Sequence, residues 1–178
     1  MSDVLAQHIE RFISIPKGDI ANIATYFKKL HLGKKENLLT EGKVCHHNYF
    51  VEKGLLRMFF VNDNGVEQTT QFALENWWLA DYTSFAAQQP SIYNIQAVEK
   101  SDVLALDYAS HEKLLNDYPV MERYFRQIHQ RAHAASQFRI RGLYELSKEE
   151  AYHRFNRVHP EFVQRIPQYL LASFLGFT

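Results

Sequence analysis

The chain has a single cysteine, Cys45, among 178 residues. One thiol excludes an internal disulfide framework and any cysteine-ligated cluster within one chain. An excess of either charge is also missing. Twenty basic and twenty acidic side chains give a formal net charge of zero. That excludes a whole-chain basic field for nucleic acid and leaves room only for a local patch. No apolar run approaches the roughly 18 residues that a membrane span needs, so no membrane partner is expected. The first residues carry Asp3, Glu10 and Arg11 and no long apolar run, so no secretory signal is read and the cytoplasm is the expected compartment. No Gly-rich phosphate loop, nucleophile elbow or credible catalytic set is found, and no enzyme is expected.

What is present is an ordinary globular mixture, 46% apolar and 22% charged. The length allows one good core or two small ones. The pattern changes along the chain. Residues 3–15 read as a helix, with Asp3 as its cap and Val4, Leu5, His8, Ile9, Phe12 and Ile13 along one side. A second short helix fits Ala21 to Leu30, stopped at Gly33. From Lys35 the period is two. Strand runs are Glu36–Thr40, Tyr49–Val51, Leu55–Val61, Glu67–Phe72, Ile92–Val98 and Val103–Leu106. Asn62-Asp63-Asn64-Gly65 accepts positive φ and predicts a hairpin. Short strands with regular turns predict a jelly roll or barrel. Residues 109–117 return to helix.

The stretch from Pro119 to Leu146 then organises the chain. It predicts one helix of about 42 Å, at ~1.5 Å per residue. Proline suits its first turn. Met121, Phe125, Ile128, Ala132 and Ala135 recur at alternating spacings of four and three, a narrow coiled-coil seam. A helix this long outruns a small core, so the seam is expected to pack on a copy of itself. Ser147 with Glu150 forms a capping box opening the next helix, which runs to about Arg157. His159-Pro160 is read as a break. Pro167 starts a last helix, Gln168–Leu175. There Ala172 and Gly176 have the spacing of a helix-turn-helix, a small residue at the crossing and a glycine in the turn, with Leu171 and Leu175 as apolar partners.

The succession of β-roll, Pro-initiated long helix, capped helix and Leu171-Ala-Ser-Phe-Leu-Gly-Phe-Thr178 resembles the Crp/Fnr transcription regulators across essentially the whole chain. Tyr49-Phe50-Val51-Glu52-Lys53-Gly54-Leu55-Leu56-Arg57 looks like the paired strands around that family's glycine. Glu75-Asn76-Trp77-Trp78-Leu79-Ala80-Asp81, followed by Ser84-Phe85, is similar to a subgroup that lacks the nucleotide motif. The resemblance implies an α+β fold in three parts. A cyclic-nucleotide-binding-type jelly roll with flanking helices would span 1–118. A dimerisation helix would span 119–146, and a truncated winged helix-turn-helix 147–178. It implies a homodimeric DNA-binding regulator with an unknown small-molecule effector, and with promoter DNA and RNA polymerase as partners. The base-reading helix would begin beyond Thr178, so the chain as given is not expected to bind promoter DNA specifically.

Departures from the family pattern shape the ligand expectation. Nucleotide-binding members carry Phe-Gly-Glu, whose acid holds the ribose, and then Pro-Arg, whose cation neutralises the cyclic phosphate. Here Trp78-Leu79-Ala80 and Pro90-Ser91 stand in those places. Burying a phosphate without a fixed cation is costly. Cyclic AMP is therefore not expected, and no cofactor is assigned. A different effector is expected near Trp78, Asp81, Ser84, Ser91 and Tyr93, with Arg131 as the remaining candidate cation.

Two alternatives stay open. A cupin-like metal or enzyme site would use His46, His47 and Glu52, although neighbouring residues on a strand face opposite ways. His129 and His133, four apart on one helix face, could chelate zinc, but a polar pair on an Arg-rich helix is the simpler account. A stand-alone sensor domain acting through a protein partner is the other alternative.

Overall fold

A computed structural model describes residues 3–177. The side chain of Asp3, expected as a cap, and Thr178, beyond which the reading helix is expected, lie outside the described residues. The helices are α1 (Asp3–Glu10), α2 (Lys17–Ile23), α3 (Tyr82–Ala87), α4 (Tyr108–Asp117), α5 (Val120–Glu145), α6 (Lys148–Val158), α7 (Pro160–Arg165) and α8 (Gln168–Phe174). The strands are β1 (Lys28–Leu32), β2 (Asn37–Leu39), β3 (His47–Lys53), β4 (Leu56–Val61), β5 (Glu67–Ala73), β6 (Trp78–Leu79), β7 (Asn94–Ala97) and β8 (Ser101–Asp107). They form two four-stranded antiparallel sheets, ordered β1-β8-β3-β6 and β2-β7-β4-β5.

Strand alternation builds three layers of core. Tyr49, Val51, Leu56, Met58, Val103 and Ala105 point inward and fill the roll. Their neighbours Phe50, Leu104 and Leu106 point out of the first sheet, onto α1, α4 and the first turns of α5. Phe72 and Leu74, with Leu55 and Val98, lie on the outer side of the second sheet and meet α7 and α8. Each face is a period-two pattern with its own cover. Fully burying one such large side chain stabilises the fold by about 1.5–3 kcal/mol.

Local signals place the turns. Asn62 Oδ1 accepts from the N–H groups of Asn64 and Val66, and Gly65 takes φ +75°. Gly54 is required twice over. Its φ is +103°, and a Cβ there would lie 2.2 Å from Ser101 Oγ. The capping box is complete: Ser147 Oγ accepts from the Glu150 N–H, and Glu150 accepts from the Ser147 N–H.

The structure corrects one boundary and adds three short elements. Lys28–Leu32 is a strand paired with β8 rather than the end of a helix, because the pairing at a sheet edge buries Leu32 and part of Leu30 in the roll. The break read at His159-Pro160 does end α6, but a further helix unforeseen by that reading follows at once: Pro160 is the first residue of α7, where a missing N–H is harmless. Strand β6 and helix α3, too short to show periodicity, escape the sequence reading. No helix among the described residues is long and apolar enough to cross a membrane.

Candidate functional site

The six expected pocket residues do not share one pocket. Asp81, Ser84 and Ser91 form a closed internal network at the start of α3. Asp81 Oδ1 accepts from the N–H groups of Thr83, at 3.1 Å, and Ser84, at 3.3 Å. Ser91 Oγ donates to Asp81 Oδ2 at 2.6 Å and accepts from the Tyr93 N–H at 2.9 Å. Ser84 Oγ accepts from the Cys45 N–H and donates to the Gln89 carbonyl. All three side chains are buried. An aspartate capping a helix start satisfies N–H groups that would otherwise be free to meet an anion. Here the chain's own carboxylate takes that role, and a serine holds it in place.

The other three go elsewhere. Trp78 turns out of the roll and donates from Nε1 to the Tyr124 hydroxyl on α5, at 2.8 Å. The Tyr93 ring meets Phe60 edge-on. Arg131 lies over the Phe12 ring, 4.4 Å from its centroid, beside α1 and apart from Asp81. It therefore supplies no cation to the Asp81 network.

The Trp78 contact belongs to a joint that sequence reasoning missed. The Tyr124 hydroxyl also lies 2.8 Å from His8 Nδ1 on α1. An indole N–H can only donate, so the hydroxyl accepts from Trp78 and gives its own proton to His8 Nδ1. His8 is then the Nε2–H tautomer. Its pKa is lowered to about 4, first by burial and then by Arg11 and Arg131 nearby. Burial pushes the Tyr124 phenol well up. One hydroxyl thus ties α1, β6 and α5 together, and β6 leads straight into the Asp81 network. A buried Tyr flanked by helical apolar residues was the available signal; its two partners, 116 and 46 residues away, were not readable.

A hollow lies where α3 and α4 face α5. It has a volume of about 540 Å³ and is walled by Tyr82, Phe85, Tyr108, His111, His129 and His133, among others. A neighbouring hollow of about 550 Å³ shares the three histidines and continues between α4 and α5 past Phe125. His129 meets the Tyr82 ring edge-on at 4.6 Å. Burial and then the nearby His111 hold its pKa below the usual imidazole value. The Tyr82 hydroxyl lies 3.3 Å from Asn48 Oδ1. The lining is mainly aromatic and imidazole, with Glu112 as its carboxylate, and of a size usual for small-ligand sites. His129 and His133 carried the helical-spacing signal; His111 joins them only through the packing of α4.

The metal alternative finds no shared ion position. His46 reaches Gln88, His47 stacks on Tyr49, and Glu52 pairs with Lys29 at 2.9 Å. Among the described residues no group of three or more His, Cys, Asp or Glu side chains is arranged to hold a metal ion. Cys45 is buried, and burial raises its thiol pKa, so it is an unreactive core residue.

The expected seam is divided. Met121 and Phe125 are 0% and 3% exposed, packed in the chain's own core beneath α1. Ile128 packs partly against the same core. Ala132 is partly buried and Ala135 exposed. A side chain already buried on its own roll has no surface left for a second copy, so the first two positions are corrected to core. Of the residues expected in a helix-turn-helix, Leu171 and Leu175 are buried in the cluster that includes Leu55 and Phe72 of the roll, and Gly176 takes φ +77°.

Comparison with known proteins places this architecture. The pattern of the cyclic nucleotide-binding domain matches residues 29–118. No curated protein matches the sequence. Among solved structures, the fold is similar to that of the catabolite activator protein of Thermus thermophilus, with TM-score 0.60 and 20% identity over 94% of this chain and 80% of that one. It is similar to FixK2 of Bradyrhizobium japonicum, TM-score 0.69 and 15% identity over 85% of this chain and 78% of that one. It is also similar to the c-di-GMP responsive global regulator CLP of Xanthomonas campestris, TM-score 0.71 and 12% identity over 92% and 86%. These neighbours are Crp/Fnr-family regulators, and identities this low establish a likeness of fold.

Proposed function

Because the chain belongs to the cyclic nucleotide-binding domain family, we propose that it is the sensor and dimer portion of a Crp/Fnr-type transcription regulator whose effector is not a cyclic nucleotide. The observation that carries this reading is the Trp78–Tyr124–His8 joint. It couples the strand entering the Asp81 network to the long helix, and that helix carries the capped start of a helix-turn-helix at its far end. The hollow between α3, α4 and α5 abuts the same helix, so a ligand there would bear on α5 directly. Its lining favours a flat, weakly polar aromatic molecule. Signal transfer would be a change in the setting of α5 against the roll, passed on to α6–α8.

Dimerisation falls to α5 beyond Phe125. Ile128, Ala132 and Ala135 remain from the expected seam, and Ile140 and Tyr144 are exposed at 49% and 87%. In the full regulator the partner copy, promoter DNA and RNA polymerase follow from the resemblance. A fusion of the 178-residue chain to a heterologous DNA-binding domain that needs dimerisation tests the reading. Operator occupancy should depend on Ile128 and respond to small aromatic compounds through Tyr82 and His129. Occupancy indifferent to Ile128→Asp would remove the dimer, and indifference to every compound in a chemically broad set would remove the sensor.

A further inference from the structure

We infer that the outer face of the second sheet is a releasable dock for the chain's own α7 and α8, holding the start of the helix-turn-helix in a form that cannot complete it. The inference rests on the proposed reading of residues 147–178 as the start of that motif. It begins with where the apolar side chains go. Leu171 and Leu175 are the residues on which a second helix of such a motif would pack. Here they are buried together with Phe162, Ile166 and Leu170 against Leu55, Phe72, Leu74 and Val98 of the roll. One set of side chains cannot serve both partners. Docking on the roll and assembling the reader are mutually exclusive.

The dock has polar fastenings at its rim. The Arg165 guanidinium grips Glu75 with two bonds, at 2.7 and 3.0 Å, and Glu99 with a third at 2.5 Å. Glu75 Oε1 also accepts from the Gly54 N–H at 2.8 Å. Burial pushes the Glu75 carboxyl up, and the Arg165 and Gly54 bonds outweigh it, leaving it below the usual carboxylate range. Ser173 closes the other side. β5 is an edge strand, and Ser173 Oγ accepts from the Thr69 N–H and donates to the Glu67 carbonyl, covering two of its free backbone groups. From α5, Arg139 donates to the Phe174 carbonyl at 2.9 Å and lies over the Phe174 ring.

The covered face is incompletely satisfied, which is what marks the contact as releasable. Arg57 stands opposite Phe72 in the β4–β5 ladder and therefore on the same side of the sheet. Its Nη1 is buried without a hydrogen-bond partner, as is Thr69 Oγ1. A permanent core rarely keeps two orphaned polar atoms. Undocking would return Thr69 Oγ1, which lies beside Ser173, to water, while the rest of the Arg57 guanidinium stays held by Gln96 and Glu67 within the sheet. The fastenings at the rim are partly exposed, so solvent screens them and their net hold is modest.

The dock is also wired to the joint. Glu75 lies on the short turn between β5 and β6, which passes through Asn76 at φ +69°, and Trp78 is the first residue of β6, three positions on. A shift of β6 that moves Trp78 against Tyr124 moves the carboxylate that holds Arg165. Effector occupancy at α3 and release of α7–α8 thereby share one mechanical element.

The test is Glu75→Gln combined with Glu99→Gln in the 178-residue chain, a near-isosteric change at partly exposed positions. Hydrogen exchange and iodide quenching read the outcome without DNA or effector, so failure of the proposed function leaves the result readable. Trp77 is 42% exposed and meets Phe162 edge-on at 5.6 Å, which makes it the reporter of opening; Trp78 is buried. The dock predicts that amides of residues 160–175 exchange at least about tenfold faster, that Trp77 quenching rises, and that β3 and β8 keep their protection. Ser173→Ala should move the same readouts in the same direction to a lesser degree. Unchanged exchange in α7 and α8 would overturn the dock. Equal acceleration in β3 and β8 would overturn it too, since the helices would then be part of a single cooperative core.

Discussion

The two halves of α5 have the same helical periodicity and opposite fates. From Val120 to Ile128 the helix is core: Met121 and Tyr124 are fully buried and Phe125 is 3% exposed. From Ala132 to Glu145 it stands clear, with Phe138, Ile140 and Leu143 about half exposed. The first half is held by the His8–Tyr124–Trp78 bonds to two other elements. The second half touches its own chain through Arg139 on Phe174, Arg154 over the Phe138 ring, and Leu143 beside Gly176. A stripe of apolar residues thus says that a helix has an inner face without saying what covers it. On the proposed reading, the buried half is where a signal would enter and the exposed half is where a partner would act.

The comparison can be broken most forcefully by truncation. Phe125→Ala should destabilise the fold by about 3–5 kcal/mol in urea titration, because the site is fully packed. Phe138→Ala should cost less than about 1 kcal/mol, mainly the Arg154 stacking. Similar costs for the two would erase the distinction between the halves.

Acid should weaken the first half selectively. His8 takes up a proton near pH 6.5 when unfolded and only near pH 4 when folded. Stability contributed by its neutral form is complete above pH 6.5 and falls as pH drops through that window. The shift corresponds to roughly 3 kcal/mol by pH 4. His8→Asn should flatten this part of the pH–stability curve. A curve with the same slope in the variant would show that His8 is not the titrating group.

Ile128→Asp sits at the boundary between the halves. It should cost about 1–3 kcal/mol of dimer stability by placing a charge where apolar surface is covered, and sedimentation should shift from dimer to monomer at tens of micromolar. A parent chain already monomeric there would confine the helix to its own roll.

The smallest effect concerns cyclic nucleotides. With Asp81 and Ser91 closing the start of α3, calorimetry with cyclic AMP or cyclic GMP should give no saturable heat at micromolar concentration. Ser91→Arg alone should not restore it, since Asp81 still caps the helix. Saturation by the parent would mean that the carboxylate can leave its cap.

Much of the architecture was legible in the residues. The period-two run Leu55–Val61, the Asn62–Gly65 turn, proline at the start of α5 and the Ser147–Glu150 box are local signals, and each appears where expected. The candidate site was less legible. Asp81, Ser84 and Ser91 were singled out together and are together, but as a self-satisfied network. Trp78 and Arg131 were grouped with them and point elsewhere, because adjacency in a motif does not fix the direction of a side chain at the end of a two-residue strand. Tyr82, His111 and Tyr124 were passed over, since their partners come from distant segments.

By itself the sequence determined most of the longer elements, several caps and turns, the period-two burial of the main strands and the likeness to one family. All of these depend on neighbours within a few residues, where backbone preference and side-chain period act. Only the tertiary structure decided which cover each apolar face receives. It buried Met121 and Phe125 in the roll instead of a dimer seam, and turned Leu171 and Leu175 onto the second sheet. It also seated the Asp81 carboxylate, with Ser91 holding it, on the N–H groups at the start of α3. Those choices depend on contacts between residues far apart in the chain, and apolar burial is non-directional: a helix stripe carries the same pattern whichever surface it meets.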